Sequence, residues 1–181
     1  MIEKTMLLIL IAIIVCLQVC ESKADDYDGD KIYNIEKKIL WLTSNETTPI
    51  KKYSRKINKT ELEELTRAID MASLNYEIEP DYIIVIAWFE TVFRNLVGDN
   101  GRSIGEMQVG KMGRKKCKCD MLTVASRIDC GACWLDMGRR WCGSIESGLQ
   151  AYIGGSCEAR TVNAKRSYNR RIKIVKTIKS F

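Results

Sequence analysis

Six cysteines fall between positions 117 and 157 of a 181-residue chain: Cys117, Cys119, Cys130, Cys133, Cys142 and Cys157. An even set so closely spaced restricts the fold strongly, since every pair that closes pins a short loop. Up to three disulfides fit the set, in any of the pairings six cysteines allow. A rival use of four of them is a zinc site built from Cys117-x-Cys119 and Cys130-x-x-Cys133. The N-terminus bears on the choice. After Lys4, residues 6–17 contain no polar side chain, which suits the hydrophobic region of a signal peptide and is short for a membrane span. Ser22-Lys23-Ala24 then offers small residues at a cleavage site, and Cys16 and Cys20 would leave with the leader. Residues 1–24 therefore read as a signal peptide, or as an uncleaved anchor to an inner membrane. The chain is expected to be exported, periplasmic or secreted, where disulfides persist.

Residues 25–59 read as an acidic start and linker. Ile32, Ile35, Ile39 and Leu42 keep helical spacing within it, and the polar run at 43–49 reads as a loop. Asn45-Glu46-Thr47 and Asn58-Lys59-Thr60 fit the N-glycosylation pattern, which is too short to carry weight. From 60 the chain reads as globular. Thr60 and Glu63 are placed for a capping box, and Leu62, Leu65, Ile69, Ala72 and Tyr76 form an amphipathic stripe. Pro80 suits the first turn of the next helix. With two prolines in all and little strand-like alternation, the fold class expected for 60–181 is mainly α-helical.

The stretch 81–110 carries the chemistry. At helical spacing Glu90 shares a face with Ile83, Ile86, Ala87 and Phe93. A carboxyl held against apolar neighbours can stay protonated near neutral pH, as a general acid must. The plain alternative is a surface glutamate paired with Arg94. Gly98-Asp99-Asn100-Gly101 reads as a turn, and 103–109 as an extended or irregular segment.

Glu90-Thr91-Val92-Phe93, that glycine-rich turn and Gly105-x-Met107-Gln108-Val109 together resemble the lytic transglycosylase family and its goose-type lysozyme relatives. In that family a glutamate and a small hydroxyl residue end a buried helix, and a glycine-rich loop leads to Gly-Leu-Met-Gln. A third piece, Ala151-Tyr152-Ile153-Gly154-Gly155, is similar to the family's Ala-Tyr-Asn-Gly-Gly segment. The resemblance implies a lysozyme-like α-helical domain that cleaves peptidoglycan glycan strands with Glu90 as acid and base and no cofactor or metal. It implies that Met107 and Gln108 line the groove, that Ser103 lies near the scissile bond and that Tyr152 orients Glu90. Two positions depart from the pattern. Glu106 replaces an apolar residue and, with Asp99, offers a second carboxylate, the requirement of a hydrolytic lysozyme. Ile153 replaces the usual asparagine, which leaves a catalytically inactive binding protein as a further alternative.

Trp134 and Trp141 are expected to pack in the core rather than stack on sugar. Residues 161–181 hold no acidic residue. With Ile172, Val175 and Ile178 as an apolar edge, they are expected to dock as a last helix whose charges stay in water. The net charge of +6 is unchanged by loss of 1–24, which removes Glu3, Glu21, Lys4 and Lys23, and it suits an anionic partner. Nothing resembles a nucleic-acid motif. The partners expected are peptidoglycan and an envelope-spanning secretion, conjugation or phage apparatus.

Overall fold

A computed structural model describes residues 29–44 and 46–181; the leader expected at 1–24 and Asn45 lie outside them. The described residues form seven α-helices: α1 (Gly29–Thr43), α2 (Lys59–Tyr76), α3 (Pro80–Thr91), α4 (Lys111–Cys117), α5 (Val124–Cys142), α6 (Ile145–Gly154) and α7 (Val162–Ile178). The mainly α-helical expectation holds. The chain divides into two compact units. Of the first, Met1–Ile32, only the opening turn of α1 is described. The second, Tyr33–Phe181, holds the core.

That core is built around α3. Tyr82, Ile83, Ile84, Val85, Ile86, Ala87 and Trp88 are all buried, and a helix that is apolar all round must be enclosed by others. Pro80 occupies its first turn, where the missing N–H costs nothing. Ile35, Ile39 and Leu42 of α1, the residues at helical spacing in 25–59, are buried in the same core. Lys38 reaches Asp81 in a buried ion pair at 2.7 Å. The cap of α2 also differs from expectation. Asn58 accepts from the backbone N–H of Glu61, and the helix starts before Thr60. Asparagine is at least as good an N-cap as threonine, and this start brings Glu61 to the Arg55 guanidinium.

The expected extended segment is a small antiparallel sheet of three two-residue strands, β1 (Val97–Gly98), β2 (Ser103–Ile104) and β3 (Val109–Gly110). Val97 pairs with Ile104, and Ile104 with Val109. The six cysteines form Cys117–Cys133, Cys119–Cys130 and Cys142–Cys157. The first two fasten the end of α4 and its following loop to α5, and the third closes a loop around α6. The four cysteines weighed as zinc ligands are thereby joined in pairs. Three disulfides mark an oxidising compartment. Among the described residues no helix is long and apolar enough to cross a membrane.

Candidate functional site

Helix α3 delivers Glu90 and Thr91 in its last turn and stops because Val92 and Phe93 both turn left-handed, at φ 56° and 57°. Valine in that region is a genuine outlier, and such strain persists only where surrounding structure holds it. Arg55 supplies the hold: its Nη1 donates to the carbonyls of Val92 and Phe93, each at 2.9 Å. Buried Thr91 donates through Oγ1 to the carbonyl of Glu106 at 2.7 Å and accepts from the Arg94 N–H at 3.0 Å.

The segment that Thr91 grips is itself fixed from below. Glu106 is 2 % exposed and bound by Arg127 in two parallel hydrogen bonds of 2.8 Å, from Nε and from Nη2. It is a buried structural carboxylate, not a second carboxylate open to a groove. Met107 has no exposed surface, and its side chain fills the space over Gly131, where an added Cβ would lie 2.2 Å from the Met107 sulfur. What Met107 offers the neighbouring segments is its carbonyl, which accepts from Tyr152. Gln108, at φ 52°, commits its amide nitrogen to the carbonyls of Leu96 and Gly105, both at 2.9 Å. Its amide oxygen occupies the space that a Cβ on Gly98 would approach to 2.1 Å. Ser103 is buried and donates to exposed Asp99 at 3.0 Å, so these two expected site residues meet each other.

Tyr152 on α6 donates its hydroxyl hydrogen to the carbonyl of Met107 at 2.6 Å. Burial raises its phenol well above the ordinary tyrosine range, and the nearby Glu90 carboxylate adds to that while Arg171 works against it. The phenol thus keeps the hydrogen that the bond needs. Beside Tyr152 opens a mainly apolar cavity of about 500 Å³, lined by Trp134, Trp141, Met112 and Met137 among others. Trp141, expected in the core, is 69 % exposed.

Glu90 does not sit in the expected apolar setting, and its partner is not Arg94. Its Oε1 accepts from Arg171 Nη2 at 2.6 Å, an ion pair in which the arginine side chain is 9 % exposed and the glutamate 26 %. Arg171 was expected in water with the other cations of the last helix. Its position carried a signal, because Arg171, Ile174, Val175 and Ile178 are all buried on α7 at the i, i+3, i+4, i+7 spacing of one helical face. A charge on such a stripe needs a buried partner. Glu90, which follows the apolar run from Ile83 to Phe89, is the partner it finds. The two lie 81 positions apart, beyond any local pattern.

Comparison of the chain with family models, with curated proteins and with solved structures finds no match.

Proposed function

We propose that this chain is an exported peptidoglycan lytic transglycosylase with a lysozyme-like domain and Glu90 as its acid and base. One observation carries the reading. The three segments that carry the resemblance, 90–93, 105–109 and 151–155, are separate in sequence and are tied to one another by two hydrogen bonds, Thr91 to the Glu106 carbonyl and Tyr152 to the Met107 carbonyl. Glu90 stands at that junction, partly open to solvent, and exposed Trp141 offers a stacking face for a pyranose beside Tyr152.

In this reading Glu90 gives its proton to the oxygen that links N-acetylmuramic acid to N-acetylglucosamine. As a carboxylate it then takes the proton of the muramic C6 hydroxyl, whose oxygen closes onto C1 and leaves a 1,6-anhydro end. No water is consumed, so no second carboxylate is required, and the locked position of Glu106 fits that economy. Gln108 and Ser103 shape the loop over the site, and Met107 supplies the carbonyl that seats Tyr152. A wall-cleaving protein of this size suits a role beside an envelope-spanning secretion, conjugation or phage apparatus, periplasmic or secreted.

The Arg171 bond to Glu90 favours a second reading, a peptidoglycan-binding component that no longer cleaves, because one carboxyl oxygen is already occupied. Mass spectrometry of peptidoglycan digested by the oxidised chain, beside Glu90→Gln, separates the readings. Products lighter by one water and absent with Glu90→Gln are expected. Reducing ends would instead make it a lysozyme and turn attention to Asp99, the exposed carboxylate that Ser103 holds. Binding without products, indifferent to Glu90→Gln, would favour the second reading.

A further inference from the structure

Tyr152 does not donate to Glu90. A phenol has one hydrogen to donate, and that of Tyr152 is spent on the Met107 carbonyl. Among the described residues the group that donates to Glu90 is Arg171, and it does so to Oε1 alone. Arg171 is held for the purpose. It is 7 % exposed, its Nη1 donates to Ser167 Oγ, and its guanidinium lies 4.7 Å from the ring centre of Phe89, the residue before Glu90. Its Nε is buried without a partner, so Glu90, Ser167 and Phe89 are what fix the plane of the guanidinium. Ile174, Val175 and Ile178 anchor α7 behind it.

We propose that Arg171 is the positioning residue of the site: it holds Oε1 of Glu90, so that Oε2 is the oxygen that moves the proton. The assignment rests on the transglycosylase reading. Oε2 gives its proton to the glycosidic oxygen as the bond from that oxygen to C1 breaks. The resulting carboxylate keeps its Arg171 bond, a charge-assisted one that is stronger once the carboxyl is ionised. The C6 oxygen then bonds to C1 and its proton returns to Oε2, with no water, electron or co-reactant entering. A fixed carboxylate plane makes both transfers possible from one side chain.

The test is the steady-state cleavage of glycan strands by the full oxidised chain, its Arg171→Met and Arg171→Lys variants and Glu90→Gln, with unfolding followed on each. Arg171→Met is expected to lower kcat on the order of 10²-fold with KM within about twofold, since orientation acts on the transition state and not on binding. Arg171→Lys, whose ammonium can reach one oxygen but cannot fork to Ser167 as well, is expected to recover part of that loss. An unchanged kcat in folded Arg171→Met, or a lysine variant no better than the methionine one, overturns the assignment. Should Arg171→Met fail to fold, Arg171→Gln takes its place, judged by the same split of kcat from KM. If neither folds, Arg171 serves the fold and the assignment is likewise overturned. A folded parent chain that cleaves nothing overturns the transglycosylase reading itself, whereas a cleaving parent with an indifferent Arg171→Met overturns only the role of Arg171.

Discussion

Arg127 spends two nitrogens on Glu106 and a third, Nη1, on the Leu122 carbonyl at 3.1 Å. Both members of the pair are buried, so removing one strands the other as an uncompensated charge. Glu106→Leu alone should therefore cost about 3–5 kcal/mol in urea unfolding, and the double variant Glu106→Leu with Arg127→Met should regain most of it. If Glu106 instead served as a catalytic carboxylate, the double variant would be stable yet inactive; retained cleavage is expected. This pair also shows where residue-level reading of sequence stops. Glu90 stands out because it interrupts an apolar helix, which periodicity detects. Glu106 lies in an irregular segment with no period to violate, so its burial depends on an arginine 21 positions on that only the folded chain brings near.

Helices α5 and α6 meet through glycine. A Cβ on Gly148 would lie 2.6 Å from the backbone nitrogen of Arg139 and 3.0 Å from the Gly138 carbonyl carbon, and one on Gly138 would lie 3.1 Å from the Gly148 carbonyl oxygen. Backbone cannot yield as a flexible side chain does, so Gly148→Ala has to push the helices apart. A loss of about 3 kcal/mol is expected, at the upper end for overpacked contacts, seen as a fall in melting temperature of roughly 10 °C. Gly155→Ala meets no atom within 4 Å but sits at φ 72°, and its smaller penalty is backbone strain alone. The elements themselves were largely legible, because α2 and α7 follow apolar periodicity, α3 is a continuous apolar run and Pro80 marks its start. Two features were not. The helical spacing of Ile35, Ile39 and Leu42 is visible in 25–59, but nothing there reveals that they have a core to join. The start of α2 lies between two capping residues two positions apart, Asn58 and Thr60, and it is Asn58 that accepts from the Glu61 N–H.

Every cysteine of the described residues lies in the stretch from α4 to the turn after α6, while α1, α2, α3 and α7 carry none. The large α3-centred core is thus left to hydrophobic burial, and the covalent links serve α4, α5 and α6. Their sequence separations are 16, 11 and 15 residues. A loop of that size restrains the unfolded chain by about 3 kcal/mol. Cys119–Cys130 lies inside the loop already closed by Cys117–Cys133, so the second closure of that nested pair adds less than the first. Cys142–Cys157 stands apart and brackets α6, which carries Tyr152. Replacing Cys142 and Cys157 by serine should therefore cost about 3 kcal/mol, whereas full reduction should cost more than this but less than three times as much. The two treatments also differ at the site. With the nested pair intact, α5 stays fastened to α4, yet the seat of Tyr152 on the Met107 carbonyl loosens, so the serine variant should lose glycan cleavage well below its melting temperature. The nested pair alone, replaced in the same way, should lower stability first and activity only as the fold is lost. Parallel loss of activity and stability in both variants would mean that the third disulfide serves the fold as a whole and not the placement of α6.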